Sequence, residues 1–175
     1  ILMVFPFEIE KLLEHQLKEV DLWHKAFVYL DFPSSVDFPK LMSLQHQANF
    51  ELWHQEDMAR DRVASDSKIA SIKRNIDVLN QKRNDLIEKL DQFLVNILKK
   101  NKVKKNQNSE MNSETPGNII DRLSINALKI YHMEEETNRD EVNSKHHTLC
   151  EGKLSVLREQ RKDLGKCLFK LLDDL

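Results

Sequence analysis

The sequence predicts an all-α fold, an elongated antiparallel bundle of four to five helices, two of them long. Three observations carry that prediction. Gly 3 and Pro 4 in 175 residues leave too few turn residues for many short strands. Apolar side chains recur at helical rather than alternating spacing. Segments of 20 to 35 residues run between the few breakers. The length fits a single helical domain, residues 1–175, able to bury roughly 70% of its unfolded surface. Lys+Arg 27 against Asp+Glu 29 gives a net charge of -2, so no global basic field points to nucleic acid or an anionic membrane.

The opening ILMVFPF is apolar but broken by Pro6, with no basic flank and no small-residue cleavage site. It reads as neither signal peptide nor membrane span, so a cytoplasmic protein is expected, with this segment packed on a helix. The first helix is expected from about Phe7 to Leu30, on Ile9, Leu13, Val20, Trp23, Phe27 and Leu30. "DFPSSVDFPK" then forms a loop fixed by Pro33 and Pro39.

The second helix should span about Lys40 to Ala64, with Ser65 or Asp66 capping a third. Leu41, Leu44, Ala48, Leu52, Ala59 and Val63 form its aliphatic stripe. Nearly opposite lie His46, Phe50, Trp53, Asp57 and Arg60, flanked by Asn49, His54 and Glu56. Solvent rarely receives two large aromatics among His, Asp and Arg, so this face should meet another helix or a cleft.

The third helix, about Ser67 to Lys100, places Ile69, Ile72, Ile76, Leu79, Leu86, Leu90, Phe93 and Ile97 at a and d positions, interrupted by Arg83. That seam makes a homodimer one expectation. Beside it run Lys73, Asp77, Gln81, Asn84, Glu88 and Asp91, with Arg74 and Asn80 at the margins. Asn is a poor helix former, so Asn80 and Asn84 should have partners, in a buried register-fixing network or in a pocket between helices two, three and four.

A polar stretch, residues 101–115, is expected to be flexible. In "SETPGN", Thr115 can cap the fourth helix and Pro116 occupy its first position. Its apolar face is Ile119, Ile120, Leu123, Ala127, Ile130 and Tyr131. The last helix, about Arg139 to Leu172, uses Val142, Leu149, Val156, Leu157, Leu164, Leu168 and Leu171. Cys150 and Cys167 are too far apart on one helix to form a disulfide.

"LWHQEDMARD", "KRNIDVLNQKRNDLIEKLD", "SETPGNIIDRLSI" and "LKIYHMEEE", in this order, resemble an uncharacterised bacterial domain-of-unknown-function family across about residues 45–165. The resemblance carries no activity. It implies that Trp53, His54, Glu56, Asp57, Arg60, Lys73, Arg74, Asp77, Asn80, Gln81, Arg83, Asn84 and Glu88 are motif positions. So are Glu114, Thr115, Pro116, Gly117, Asp121, Arg122, Lys129, Tyr131 and His132.

Three chemistries can be weighed on these residues. Carboxylate-x-x-His puts both ligands on one helix face, and Asp21/His24 and Glu51/His54 supply it twice. His132 with Glu135 or Glu136 could add ligands, but no complete di-metal set stands out, and no metal ligand is assigned. His15 and His24 are read as surface histidines. A small anion such as a sugar phosphate or nucleotide suits more residues: Thr115 and Gly117 at a helix start, with Arg60, Arg74, Arg83 and Arg122 as a clamp. Trp53, Asn80, Gln81, Asn84 and Asp121 would line the pocket, and Asp57, Asp77 and Glu88 would hold Mg²⁺ or hydroxyls. For acid–base catalysis the candidates are His54 and His132, with Asp57 as orienting partner or base.

Overall fold

The computed structural model describes residues 5–32, 37–104, 108–139 and 144–175. Within them the chain forms α1 (Ile9–Lys25), α2 (Phe38–Ala59), α3 (Asp66–Lys100), α4 (Pro116–Thr137) and α5 (Ser144–Asp173), and no strand. The fold is an all-α helical bundle, as composition and periodicity predict. At 1.5 Å per residue, α3 and α5, with 35 and 30 residues, are roughly 50 and 45 Å long. Residues 1–4, Pro33, residues 105–107 of the polar stretch and Val142 lie outside the described residues. No described helix is long and apolar enough to cross a membrane.

Three helix starts follow from capping. Asp37 accepts from the Lys40 amide, Ser65 from Lys68 and Thr115 from Asn118, at 2.8, 3.3 and 3.2 Å. Pro39 and Pro116 occupy first-turn positions, where a missing N–H costs nothing. Pro39 therefore belongs to α2 rather than to the loop before it. The chain leaves the helix after Ala59, so Val63, read as part of the α2 stripe, is 91% exposed.

α1 ends at Lys25 instead of reaching Leu30. The reason is a side chain on α2. The Gln47 amide accepts from Leu30 N and donates to Val28 O, both at 2.9 Å, and so replaces the helical hydrogen bonds of that stretch. Phe27 folds back onto Phe50, ring centroids 5.3 Å apart. At the chain's start, Phe7 stacks on Phe38 at 4.8 Å.

α2–α3 and α4–α5 are the two extensively packed antiparallel pairs. α1 runs in the same direction as α2 and α4. Gln16 meets His46 and Ile120 near its middle, and His24 meets His54 and His132 at its end. The C-terminal portions of α1, α2 and α4 therefore gather at one end of the bundle.

The main core joins Leu12, Phe38, Leu41, Leu44, Leu86, Leu90, Leu94, Ile119, Ile120, Leu123 and Leu168. Ile72, Ile76, Leu86 and Leu90 of the α3 heptads are buried inside the chain, on the surface where a homodimer was expected. Residues 41–50 of α2 are buried on every side, so α2 is the central helix of the bundle.

Candidate functional site

A helix surrounded by others must satisfy its polar side chains internally, and the donors of Gln45 and Asn49 and both nitrogens of His46 find partners within the bundle, while the Gln45 and Gln55 side-chain oxygens are buried without one. The Asp121 carboxylate accepts from Gln45 Nε2 at 2.6 Å, Asn49 Nδ2 at 2.9 Å and Arg83 Nε at 2.8 Å, with a further bond from the Arg83 guanidinium to its other oxygen. His46 is fully buried. Its Nε2 lies 2.9 Å from the Gln16 carbonyl, which can only accept, so that nitrogen carries the proton. Its Nδ1 then accepts from Ser124 at 2.6 Å, and burial pulls the imidazole pKa down to about 3. Arg161 of α5 closes the network by donating to the carbonyls of Leu123 and Leu13 at 2.8 and 2.6 Å. Burial lowers its pKa to about 10 and leaves it charged at neutral pH.

The space expected to hold a ligand between α2, α3 and α4 is therefore largely filled, with Asp121 at its centre. A recess of about 230 Å³ remains, lined by Trp53, Arg60, Asn80 and Arg83 among others. On α3, Arg74, Asp77, Gln81, Asn84 and Glu88 are exposed. The third helix has its partners on one side only there, so its polar stripe meets water. Gln81 bonds Asp85, and no group of carboxylates among the described residues gathers Asp57, Asp77 and Glu88.

The helix start in "SETPGN" is also taken up by the chain itself. Asp91 of α3 accepts from the Gly117 amide at 2.7 Å, so the anion at this N-terminus is the protein's own carboxylate. Glycine is needed here because an added Cβ would stand 2.8 Å from Asp91 Oδ1 and from Ile87 O. Thr115 serves as the cap, and Arg122 pairs with Glu114 at 2.7 Å.

Open space lies on the other side of α2. A groove of about 1190 Å³ runs between the ends of α2 and α4 and the first half of α5. Met133, Leu149, Val156 and Leu157 form its apolar surface, and Trp53, Asp57 and His132 stand along it. Each acid in its wall has a partner: Asp57 pairs with Arg60, Glu135 accepts from His132 Nδ1, and Glu136 pairs with Arg139. Lys129, Lys145 and Lys153, also in the wall, make no ion pair among the described residues.

Trp53 stacks on His132 with centroids 4.7 Å apart and planes 5° from parallel. Behind that pair lies a cluster of imidazoles. His24, His54 and His132 each bring a ring nitrogen within 4.8 Å of the others. His24 Nδ1 lies 2.7 Å from the Val20 carbonyl and donates to it. His132 Nδ1 donates to Glu135 at 2.7 Å. The Nε2 atoms of both rings are shut off from solvent and have no hydrogen-bond partner, a cost of about 1–3 kcal/mol each. Burial, and then the neighbouring His24 and His132, lower the His54 pKa and favour its neutral form, against the opposing pull of Asp57 and Glu135.

His54 and His132 thus come together, and Asp57 stands by the groove, half-exposed and bonded to Arg60. His24, expected at the surface, joins His54 and His132 instead. The signal for it was the repeated carboxylate-x-x-His, but the carboxylates themselves turn away: Asp21 pairs with Lys25 and Glu51 with Lys82, at 2.6 and 3.1 Å. The groove lysines carried no motif of their own beyond the position of Lys129.

No curated protein and no solved structure matches this chain. Residues 39–175 match a family described as "protein of unknown function (DUF4254)", a span that takes in His54, His132 and the groove but begins after His24. The four motifs are thereby accounted for, and the chain belongs to that family.

Proposed function

We propose that this protein binds a small anionic ligand with an apolar body in the groove between α2, α4 and α5. The observation that carries this reading is the combination of an apolar surface with Lys129, Lys145 and Lys153, none of them in an ion pair among the described residues, while each wall carboxylate is already paired. The apolar surface favours burial of a hydrocarbon or aromatic body, and an ammonium without a partner contributes most when an anion reaches it. A bare sugar phosphate would leave Met133, Leu149 and Val156 unused.

Calorimetric titration with octyl phosphate, octanoate and octanol tests this. The two anions should bind once per chain, about tenfold or more tighter than the alcohol. Lys129→Ala with Lys153→Ala should reduce the anions toward the alcohol's affinity. Equal binding of all three ligands, or an unchanged double variant, contradicts the reading.

A further inference from the structure

Independently of the groove's ligand, we infer that His24, His54 and His132 form a binding site for one transition-metal dication of the zinc type. Three helices each contribute one imidazole, with ring centroids 5.1 Å (His24 to His54), 5.1 Å (His24 to His132) and 6.0 Å (His54 to His132) apart.

The tautomers are set by the surroundings. A metal-binding histidine characteristically donates its second ring N–H to a carbonyl or carboxylate, which turns the other nitrogen's lone pair to the ion. His24 does this through Val20 O and His132 through Glu135. The nitrogens left over, Nε2 in both, are buried and have nothing from which to accept a hydrogen bond. His54 makes no hydrogen bond among the described residues, so neither of its ring nitrogens is committed to another partner.

Two further features select the kind of ion. The ligand set is all imidazole, because Asp21 and Glu51 are engaged by Lys25 and Lys82. Such a set suits Zn²⁺, Co²⁺, Ni²⁺ or Cu²⁺ and not Mg²⁺ or Ca²⁺, which take oxygen. His24 also sits in the last turn of α1, where the peptide dipoles favour positive charge. Metal–nitrogen bonds of about 2.0–2.1 Å place tetrahedral ligands about 3.4 Å apart, so nitrogens now within 4.8 Å need close by no more than about 1.4 Å, within reach of side-chain rotation. With three protein ligands the fourth position stays open to water.

The test uses untagged, chelator-stripped protein titrated with Co²⁺ and then Zn²⁺. Co²⁺ should bind once per chain with the intense visible bands of low-coordinate cobalt, and Zn²⁺ should abolish them. His24→Gln and His54→Gln should weaken Co²⁺ binding at least about 100-fold, with far-UV circular dichroism confirming the helices. Glu135→Gln keeps every ligand and should weaken binding about 10- to 100-fold through the orientation of His132. His147→Gln, on the surface of α5, should change nothing. Absence of the visible bands in wild-type protein, wild-type affinity in folded His54→Gln and Glu135→Gln, or loss of the site in His147→Gln would overturn the inference.

Discussion

Single residues in the interior act here through fixed protonation states. His46 is held neutral by burial, with its one N–H committed to Gln16 and its lone pair to Ser124. Its pKa in the fold, about 3, lies below the ordinary 6.5, so below pH 6.5 the unfolded chain binds the proton that the native state refuses. This group's contribution is fully present above pH 6.5 and is lost as pH falls, approaching about 5 kcal/mol by pH 3. Urea melts at a series of pH values should show His46→Gln losing stability less steeply than wild type between pH 6.5 and 4. Parallel curves would mean that His46 is not the group responsible. Asp121 acts differently, as the acceptor on which Gln45, Asn49 and Arg83 converge. Asp121→Ala strands two buried amides and a guanidinium, and should cost about 3 kcal/mol in the same melts with an unchanged denaturant slope.

At the scale of elements, much was readable and the errors have identifiable causes. Ser65, Thr115 and Pro116 act through bonds within one turn, so the starts of α3 and α4 follow from the residues themselves. The heptads of α3 likewise identify its buried seam. The end of α1 was hidden because it depends on the Gln47 side chain, distant in sequence. The polar interior expected on the His46–Asn49 face of α2 and on Asn80 and Asn84 of α3 is built by the α2 residues, joined by Gln45 and Ser124, because it is α2 and not α3 that is enclosed. Gly117 was read as room for a ligand, but the room is filled by α3. Gly117→Ala drives a methyl group to 2.8 Å from the Ile87 carbonyl, which is backbone and cannot swing aside. It should destabilise by about 1–3 kcal/mol and lower the melting temperature, whereas an unchanged temperature would mean that the α3–α4 approach is looser than described.

For the whole molecule, the parallel course of α1, α2 and α4 is the consequential feature. It brings together histidines whose individual surroundings in sequence look ordinary, and it makes His132 a member of both the imidazole cluster and the groove wall, stacked on Trp53. A reader of the sequence sees two carboxylate-x-x-His patterns and a third histidine, but their meeting depends on helix direction, which no local pattern encodes. The most direct test of the account is an anomalous difference map at the zinc edge from crystals of the stripped protein soaked with one equivalent of Zn²⁺. The account predicts one strong peak about 2.1 Å from Nε2 of His24 and of His132 and from a ring nitrogen of His54. No peak among these three residues, or density only at surface histidines such as His147, would contradict it.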